Sequence, residues 1–210
     1  MKKRILIADD HAVVRKGIRQ IIEEESEMTV VGEAADNREL LEKARKEEYD
    51  IIVIDLSMPL GSGLDTIKQL TAEYPRRPIL VLSMYSEEQY ALRAFKAGAS
   101  GYLTKESAPE QLVGAIRQIA SGRKYVSPHL AELLVNQQGK EGQKLPHELL
   151  SDREYQIMCM IASGTSVSEI AADLSLSVKT VSTHRSRLLQ KMHFKNNVSL
   201  TQYVLQNHLL

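Results

Sequence analysis

The chain has a single cysteine, Cys159, in 210 residues. That excludes an internal disulfide and a cysteine metal cage. The residue stands in the apolar run Ile157-Met158-Cys159-Met160-Ile161, where a thiol behaves as a small buried hydrophobe. No stretch approaches the roughly 18 apolar residues needed to span a bilayer. Met1-Lys2-Lys3-Arg4 runs directly into a short strand-like segment, without the apolar core and small-residue cleavage site of a secretory signal. A cytoplasmic protein that engages no membrane is expected. Net charge is lacking too, since 27 Lys and Arg balance 27 Asp and Glu. The balance hides an asymmetry. Residues 1–122 carry 17 basic and 20 acidic side chains, whereas residues 123–210 carry 10 and 7. After Asp173 there is no acidic side chain, while Lys179, Arg185, Arg187, Lys191 and Lys195 add five positive charges. Such a basic surface suits a polyanion, and charge alone equally fits a solvated helix face. Internal repeats and low-complexity tracts are also missing, and the 43% hydrophobic content excludes a disordered chain.

What is present falls into two halves with different periodicity. Up to about residue 122, short β-branched runs alternate with longer helical patterns. Arg4–Ala8, Thr29–Gly32, Ile51–Ile54, Ile79–Leu82 and Gly101–Leu103 are predicted strands, and apolar runs of this length mark strands covered on both faces. Between them, Ala12–Glu25, Arg38–Glu47, Leu64–Glu73, Glu87–Ala97 and Pro109–Ser121 have helical spacing. Five such units imply a parallel sheet with helices on both faces. Ser127–Asn136 is a further candidate helix, and polar Gln137–Lys144 suits a linker. Beyond it the pattern is wholly helical. Ser151-Asp152-Arg153-Glu154 and Ser166-Val167-Ser168-Glu169 are capping boxes that start helices, and Gly164 fits the end of the first.

In an open parallel sheet, chemistry gathers beyond the carboxyl ends of the strands. Asp9 and Asp10 follow the first strand, Asp55 the third and Ser83 the fourth, and Lys105 lies two residues past the fifth. An aspartate ending a strand is commonly only a turn former, so the arrangement carries the argument rather than any single residue. Three converging carboxylates repel and raise one another's pKa unless a cation joins them. Mg2+ suits a few carboxylates plus water and phosphate. Lys105 is a compact charge that could neutralise a phosphoryl oxygen. Together these groups point to phosphoryl transfer onto an aspartate. Gly61 and Gly63 read as turn glycines, Met58-Pro59 as a loop-shaping pair, and His11 as part of a helix start rather than a metal ligand.

Asp9-Asp10-His11, the run Asp55-Leu56-Ser57-Met58-Pro59 with Gly63, Ser83, and Gly101-Tyr102-Leu103-Thr104-Lys105 resemble the receiver domain of two-component signalling, over about residues 3–122. The resemblance implies that Asp55 is the phosphoacceptor and that Asp9, Asp10, Asp55 and the backbone carbonyl of Ser57 hold Mg2+. Lys105 would pair with the phosphoryl group, and Ser83 and Tyr102 would form the switch. A new dianion can pull the Ser83 hydroxyl towards it, and the vacated space would let the Tyr102 ring turn inward. Ser62 departs from the family, in which an acidic or amide residue often precedes the glycine.

In the second half, Asp152–Ser163, Val167–Leu174 and Val178–Met192 are predicted helices, the last two joined by a turn at Ser175–Ser177. Ser177 is a candidate N-cap. Val181, Leu188 and Met192 share one face of the last helix, and Lys179, Ser182, Thr183, Ser186 and Gln190 share another with Arg187 alongside. This matches a helix-turn-helix in a major groove, with an ordinary amphipathic surface helix as the alternative. Leu150-Ser151-Asp152-Arg153-Glu154, Ile161-Ala162-Ser163-Gly164, Glu169-Ile170-Ala171, Thr180-Val181-Ser182-Thr183-His184 and Lys191-Met192 resemble the LuxR-type DNA-binding domain. With a receiver, that is the NarL/FixJ type of response regulator. The resemblance implies that Ser182, Thr183 and Ser186 face base edges. It makes Lys179, Thr180, His184, Arg187 and Lys191 candidates for phosphate contact. Members often carry lysines where this chain has the hydroxyls, so the operator is not inherited from relatives. Val167 and Asn196-Asn197 also depart from the family.

The fold expected is an α/β receiver with a five-stranded, flavodoxin-like doubly wound parallel sheet over residues 1–122. A linker with an extra helix (123–147) and an all-α helix-turn-helix domain (148–210) follow. The function implied is a transcription factor, not an enzyme, phosphorylated on Asp55 by a partner histidine kinase. It would bind double-stranded DNA through helix 178–192 as a homodimer, with RNA polymerase as a further partner. A phosphohydrolase would need a second catalytic acid beside the nucleophile, where Ser57 stands. A DNA-binding regulator that uses its receiver only as an interaction module is the alternative, against which the full acidic set argues.

Overall fold

In a computed structural model, described over residues 2–138, 145–207 and 209, the chain forms two compact units, Met1–Ala131 and Glu132–Leu210. The first alternates strand and helix throughout. Its elements are β1 (Lys3–Ala8), α1 (Ala12–Glu23), β2 (Met28–Ala34), α2 (Asn37–Lys46), β3 (Ile51–Ile54), α3 (Gly63–Glu73), β4 (Ile79–Ser83), α4 (Glu87–Ala97), β5 (Gly101–Thr104) and α5 (Ala108–Ala120). The five strands pair in parallel in the order β2-β1-β3-β4-β5. The order reverses between β1 and β3, which opens a crevice at their carboxyl ends.

The unbroken apolar runs are buried because helices cover both faces of the sheet. On one face Ile5, Ile7, Ile51, Val53, Leu80 and Leu82 pack with Ile18 and Ile22 of α1 and Leu112 and Ile116 of α5. Alternate positions Leu6, Ile52 and Ile54 point the other way and are equally buried. Each such side chain contributes about 1.5–3 kcal/mol. β2 outruns the expected Thr29–Gly32. Its register against β1 slips at Ile5/Leu6, where Val30 and Gly32 are the successive partners. Val31 is thus the extra residue of a bulge, which hides the strand's length from a simple apolar count.

α6 (Pro128–Gln138) starts within the first unit, and residues 139–144 of the expected linker lie outside the described residues. The second unit continues with a 3-10 turn at Pro146–Leu149 and four helices, α7 (Asp152–Ala162), α8 (Val167–Asp173), α9 (Val178–Lys191) and α10 (Asn197–Gln206). Both capping boxes form, and Ser177 accepts from Thr180 N to start α9. Gly164, at φ 91°, ends α7 as only glycine does cheaply. Asn196 caps α10, and Asn197 accepts from Arg185 Nε at 2.8 Å. This pair therefore anchors α10 to α9. Ile157, Ile161, Ile170, Val181, Leu188, Leu200 and Val204 are buried, as is Cys159.

Candidate functional site

β1 and β3 are neighbours with Ala8 opposite Ile54, so Asp9 and Asp55 leave the sheet side by side. β4 and β5 pair Ser83 with Thr104, which brings Lys105 to the same edge. Its Nζ lies 2.6 Å from Asp9 Oδ2 and 2.8 Å from Asp55 Oδ2. Both carboxylates are 1% exposed and the lysine side chain 9%. Backbone N–H groups take the other oxygens, with His11 N donating to Asp9 Oδ1 at 2.8 Å and Ser57 N to Asp55 Oδ1 at 3.1 Å. Burial raises the Asp55 carboxyl above its ordinary value, although Lys105 and the Ser57 N–H oppose the shift. Burial would lower Lys105, but Asp55 and Asp9 hold it above the ordinary lysine value.

One ammonium against two buried carboxylates, with Asp10 at the rim, leaves the pocket short of positive charge. Ligand atoms of Asp9, Asp10, His11 and Asp55 lie within 4.8 Å of one another. The three carboxylates fit a hard divalent cation with oxygen ligands. His11 is the N-cap of α1 without capping it by its side chain. Its Nδ1 sits 2.8 Å from Asp10 Oδ1, so the ring is nearer the acidic cluster than a helix-start role implies.

Ser83 is fully buried, and its Oγ accepts from Tyr85 N at 3.2 Å. Tyr102 is the second residue of the expected switch. Its ring is already inside, 0% exposed, with its hydroxyl donating to Tyr85 O at 2.8 Å, and burial raises its phenol well above the ordinary value. Apolar burial and that hydrogen bond hold the ring there.

One support of the pocket went unnoticed in the sequence, and another was read only as a turn former. Asn37 is 1% exposed. Its Nδ2 donates to Met58 O (2.9 Å) and Pro59 O (3.1 Å), and its Oδ1 accepts from Thr66 Oγ1 (2.8 Å). It ties α2 and α3 to the loop that follows Asp55. Beside the Asp36 N-cap it reads as an ordinary helix-start residue, and no sequence signal marks it. Gly63 is more than a turn former, since a Cβ there would lie 2.7 Å from Leu56 Cα and O. Only glycine allows α3 to start against the residue after Asp55.

In the second unit α9 follows α8 after the short turn, with Val181, Leu188 and Leu189 buried. Lys179, Thr183, Ser186 and Arg187 are exposed, and Thr180 and Ser182 partly so. Thr183 Oγ1 donates to Lys179 O and Ser186 Oγ to Ser182 O, leaving oxygen lone pairs outward. Two expected phosphate contacts also have surroundings within the unit. Lys191 Nζ pairs with buried Glu154 Oε2 at 2.7 Å while its own side chain stays 44% exposed. His184 has its Nδ1 enclosed without a hydrogen-bond partner, and burial lowers its pKa.

Comparison with known proteins agrees with both halves. Residues 5–117 match the family model "Response regulator receiver domain", and residues 148–204 match "Bacterial regulatory proteins, luxR family". The oxygen regulatory protein NreC of Staphylococcus carnosus (strain TM300) is 38% identical over 214 residues, covering 99% of each chain. Two solved structures of RcsB are also similar. RcsB from Salmonella enterica serovar Typhimurium, bound to promoter rprA in the presence of phosphomimetic BeF3-, is 29% identical with TM-score 0.67, covering 97% of this chain and 98% of that one. A structure of two RcsB dimers bound to two parallel DNAs is 28% identical with TM-score 0.61 and the same coverage.

Proposed function

The chain belongs to the response regulators that join a receiver domain to a LuxR-type DNA-binding domain, and from that premise we propose that Asp55 is its phosphoacceptor and α9 its DNA-reading helix. The observation that carries the reading is Lys105 Nζ bridging Asp9 and Asp55, both buried. Asp55, with its Oδ1 held by Ser57 N, presents Oδ2 as the nucleophile. Lys105 is in place to take up the charge of the incoming phosphoryl oxygens. Asp9, Asp10, Asp55 and the Ser57 carbonyl would hold Mg2+, which when bound neutralises charge on the transferring group. The donor is a phosphohistidine of a partner kinase. Ser83 and Tyr102 carry the change to α4, whose first turn follows Tyr85.

The output is transcriptional, in the cytoplasm, with RNA polymerase as a further partner. Lys179, Thr180 and Arg187 contact phosphates while Ser182, Thr183 and Ser186 meet base edges. The linker at 123–147 joins the receiver to the DNA-binding domain at 148–210. Short hydroxyls give one domain modest affinity, so two domains act on one site as a homodimer. The RcsB complexes with promoter DNA and as dimers on DNA support this. The inward Tyr102 favours a second reading, in which the receiver rests in its inward form and works without phosphorylation.

One experiment separates the two. The chain is incubated with a small-molecule phosphodonor and Mg2+, and intact mass is measured for the wild type and Asp55→Asn. The wild type should gain one phosphoryl group, and neither Asp55→Asn nor the wild type in excess chelator should gain any. Equal incorporation by both proteins would overturn the assignment, and no incorporation by either would favour the phosphorylation-independent reading.

A further inference from the structure

The opposite edge of the sheet carries a cavity of about 570 Å3, within the range of ligand pockets, roughly 300–1,000 Å3. It lies where the parallel strands begin. Lys3 and Ile51 open β1 and β3, Pro78 precedes β4 and Ser100 precedes β5. It is thus separate from the carboxyl-edge pocket of Asp55 and owes nothing to the phosphoacceptor reading. Five cations line it, Lys3, Arg76, Arg77, Arg123 and Lys124, against one carboxylate, Asp50. Asp50 is already engaged, accepting from Arg4 N at 2.8 Å with Arg4 Nε at 3.6 Å. Among the described residues none of the five cations forms an ion pair with a carboxylate.

Basic residues at this edge commonly offset helix carboxyl ends, so the magnitude matters. The ends of α3, α4 and α5 reach the cavity through Thr71, Gly98 and Ala120, and each contributes about −0.5 charge. Set against a formal charge of four, that leaves an excess above about +2. In a first unit that carries 19 basic and 20 acidic side chains over residues 1–131, so local an excess is not a general property of the surface. Two of the cations are also held in place. Arg77 stacks over Tyr49 and Tyr74, with its guanidinium carbon 4.3 and 5.0 Å from their ring centres. Lys124 Nζ donates to Ala99 O at 2.5 Å and lies 5.6 Å from the Phe95 ring centre. Partial burial lowers the Lys124 pKa with no carboxylate to counter it, a cost that a bound anion would relieve.

We propose that this cavity binds a compact phosphate-bearing anion, of the class of a diphosphate or a nucleoside diphosphate. The planar guanidinium of Arg76 offers the paired donors that phosphate oxygens accept, and the lysines supply point charge. The excess matches a ligand of two to three negative charges rather than a single carboxylate.

The test is a titration of the full, nitrogen-15-labelled chain with pyrophosphate and, separately, with ADP, both without Mg2+. Amide shifts should saturate and concentrate at residues 76–77, 98–100 and 122–124. Arg123→Glu together with Lys124→Glu, both exposed positions, should weaken binding more than tenfold while leaving the other amide positions unchanged. Should the double variant fail to fold, Arg76→Glu serves the same comparison. Equal saturation by both ligands names the diphosphate as the ligand, and tighter binding of ADP names a nucleotide. No saturation at about 10 mM, ten times a millimolar dissociation constant, would overturn the proposal. So would shifts that persist in the charge-reversed protein or that centre on Asp9, Asp10 and Asp55.

Discussion

Replacing Lys105 by methionine should destabilise the first unit by several kcal/mol, and by less as the pH falls. The ammonium is 2.8 Å from Asp55 Oδ2 and 2.6 Å from Asp9 Oδ2. At 2.8 Å and an effective dielectric of 20, one such attraction is about 6 kcal/mol. Desolvation of the charges cancels much of it, and removing one partner of a buried pair costs about 3–5 kcal/mol net. That is a large share of a total near 5–15 kcal/mol. With a urea slope of about 2 kcal/mol per molar, the midpoint should fall by about 2 M at neutral pH. Six of the eight tyrosines lie in the first unit, so tyrosine emission follows its unfolding. The pH dependence has a definite sign. Burial already holds the Asp55 carboxyl above its ordinary value, and without the ammonium it rises further. Between the ordinary value and the raised one the folded variant binds the extra proton. Its stability is therefore retained at low pH and lost as pH rises through the folded pKa. The gap between wild type and variant should shrink from about pH 7.5 to about pH 5. Mg2+ should stabilise the variant more than the wild type, because a cation then replaces the missing ammonium. A loss below about 1 kcal/mol, typical of an exposed pair, and equal at both pH values, would refute the reasoning.

Lys179→Ala or Arg187→Ala should lower affinity for all duplexes alike and reduce the slope of log affinity against log salt by about one. An unchanged slope would remove either residue from the phosphate-contacting face. Lys191→Met should act mainly on stability, costing the second unit about 1–2 kcal/mol, because the lysine is 44% exposed and Glu154 keeps the Ser151 N–H. Burial alone would raise the Glu154 carboxyl, but Lys191 and Ser151 bring it below its ordinary value. The stability this contributes to the wild type is present above the ordinary carboxylate value and lost as pH falls through the lowered one. A variant as stable as the wild type in urea melts, but with a reduced salt slope, would return Lys191 to the DNA-contacting set.

The elements were legible because each follows from a local rule that the packing does not override. Five apolar runs of three to five residues can be satisfied only by strands covered on both faces, and β1, β3, β4 and β5 fall within a residue or so of their expected bounds. The capping residues Ser151, Ser166 and Ser177 act within three residues of themselves, so their helices start where the sequence says. The acidic pocket was legible for a topological reason. In a parallel doubly wound sheet the residues just past each strand share one edge, so Asp9, Asp55, Ser83 and Lys105 converge whatever the details of side-chain packing.

What the sequence did not disclose depends on partners far along the chain. Lys191 on a basic helix face looks like a phosphate contact, and only the approach of α7 to α9 brings Glu154, 37 residues away, within 2.7 Å. Asn37 shapes the loop after Asp55 through carbonyls 21 and 22 residues distant, and its role exists only once α2, α3 and β3 are assembled. Tyr102 shows the same limit for conformation. Its residue type announces a switch, but the position of the ring is decided by Tyr85 O, 17 residues away, and by the apolar surface that encloses it. Local chemistry sets which side chains reach the pocket and the groove. The long-range polar contacts decide which of them still have charge, hydrogen-bonding capacity and freedom left to act there, and so which of the positions matched by family motifs act on a ligand and which hold the domain together.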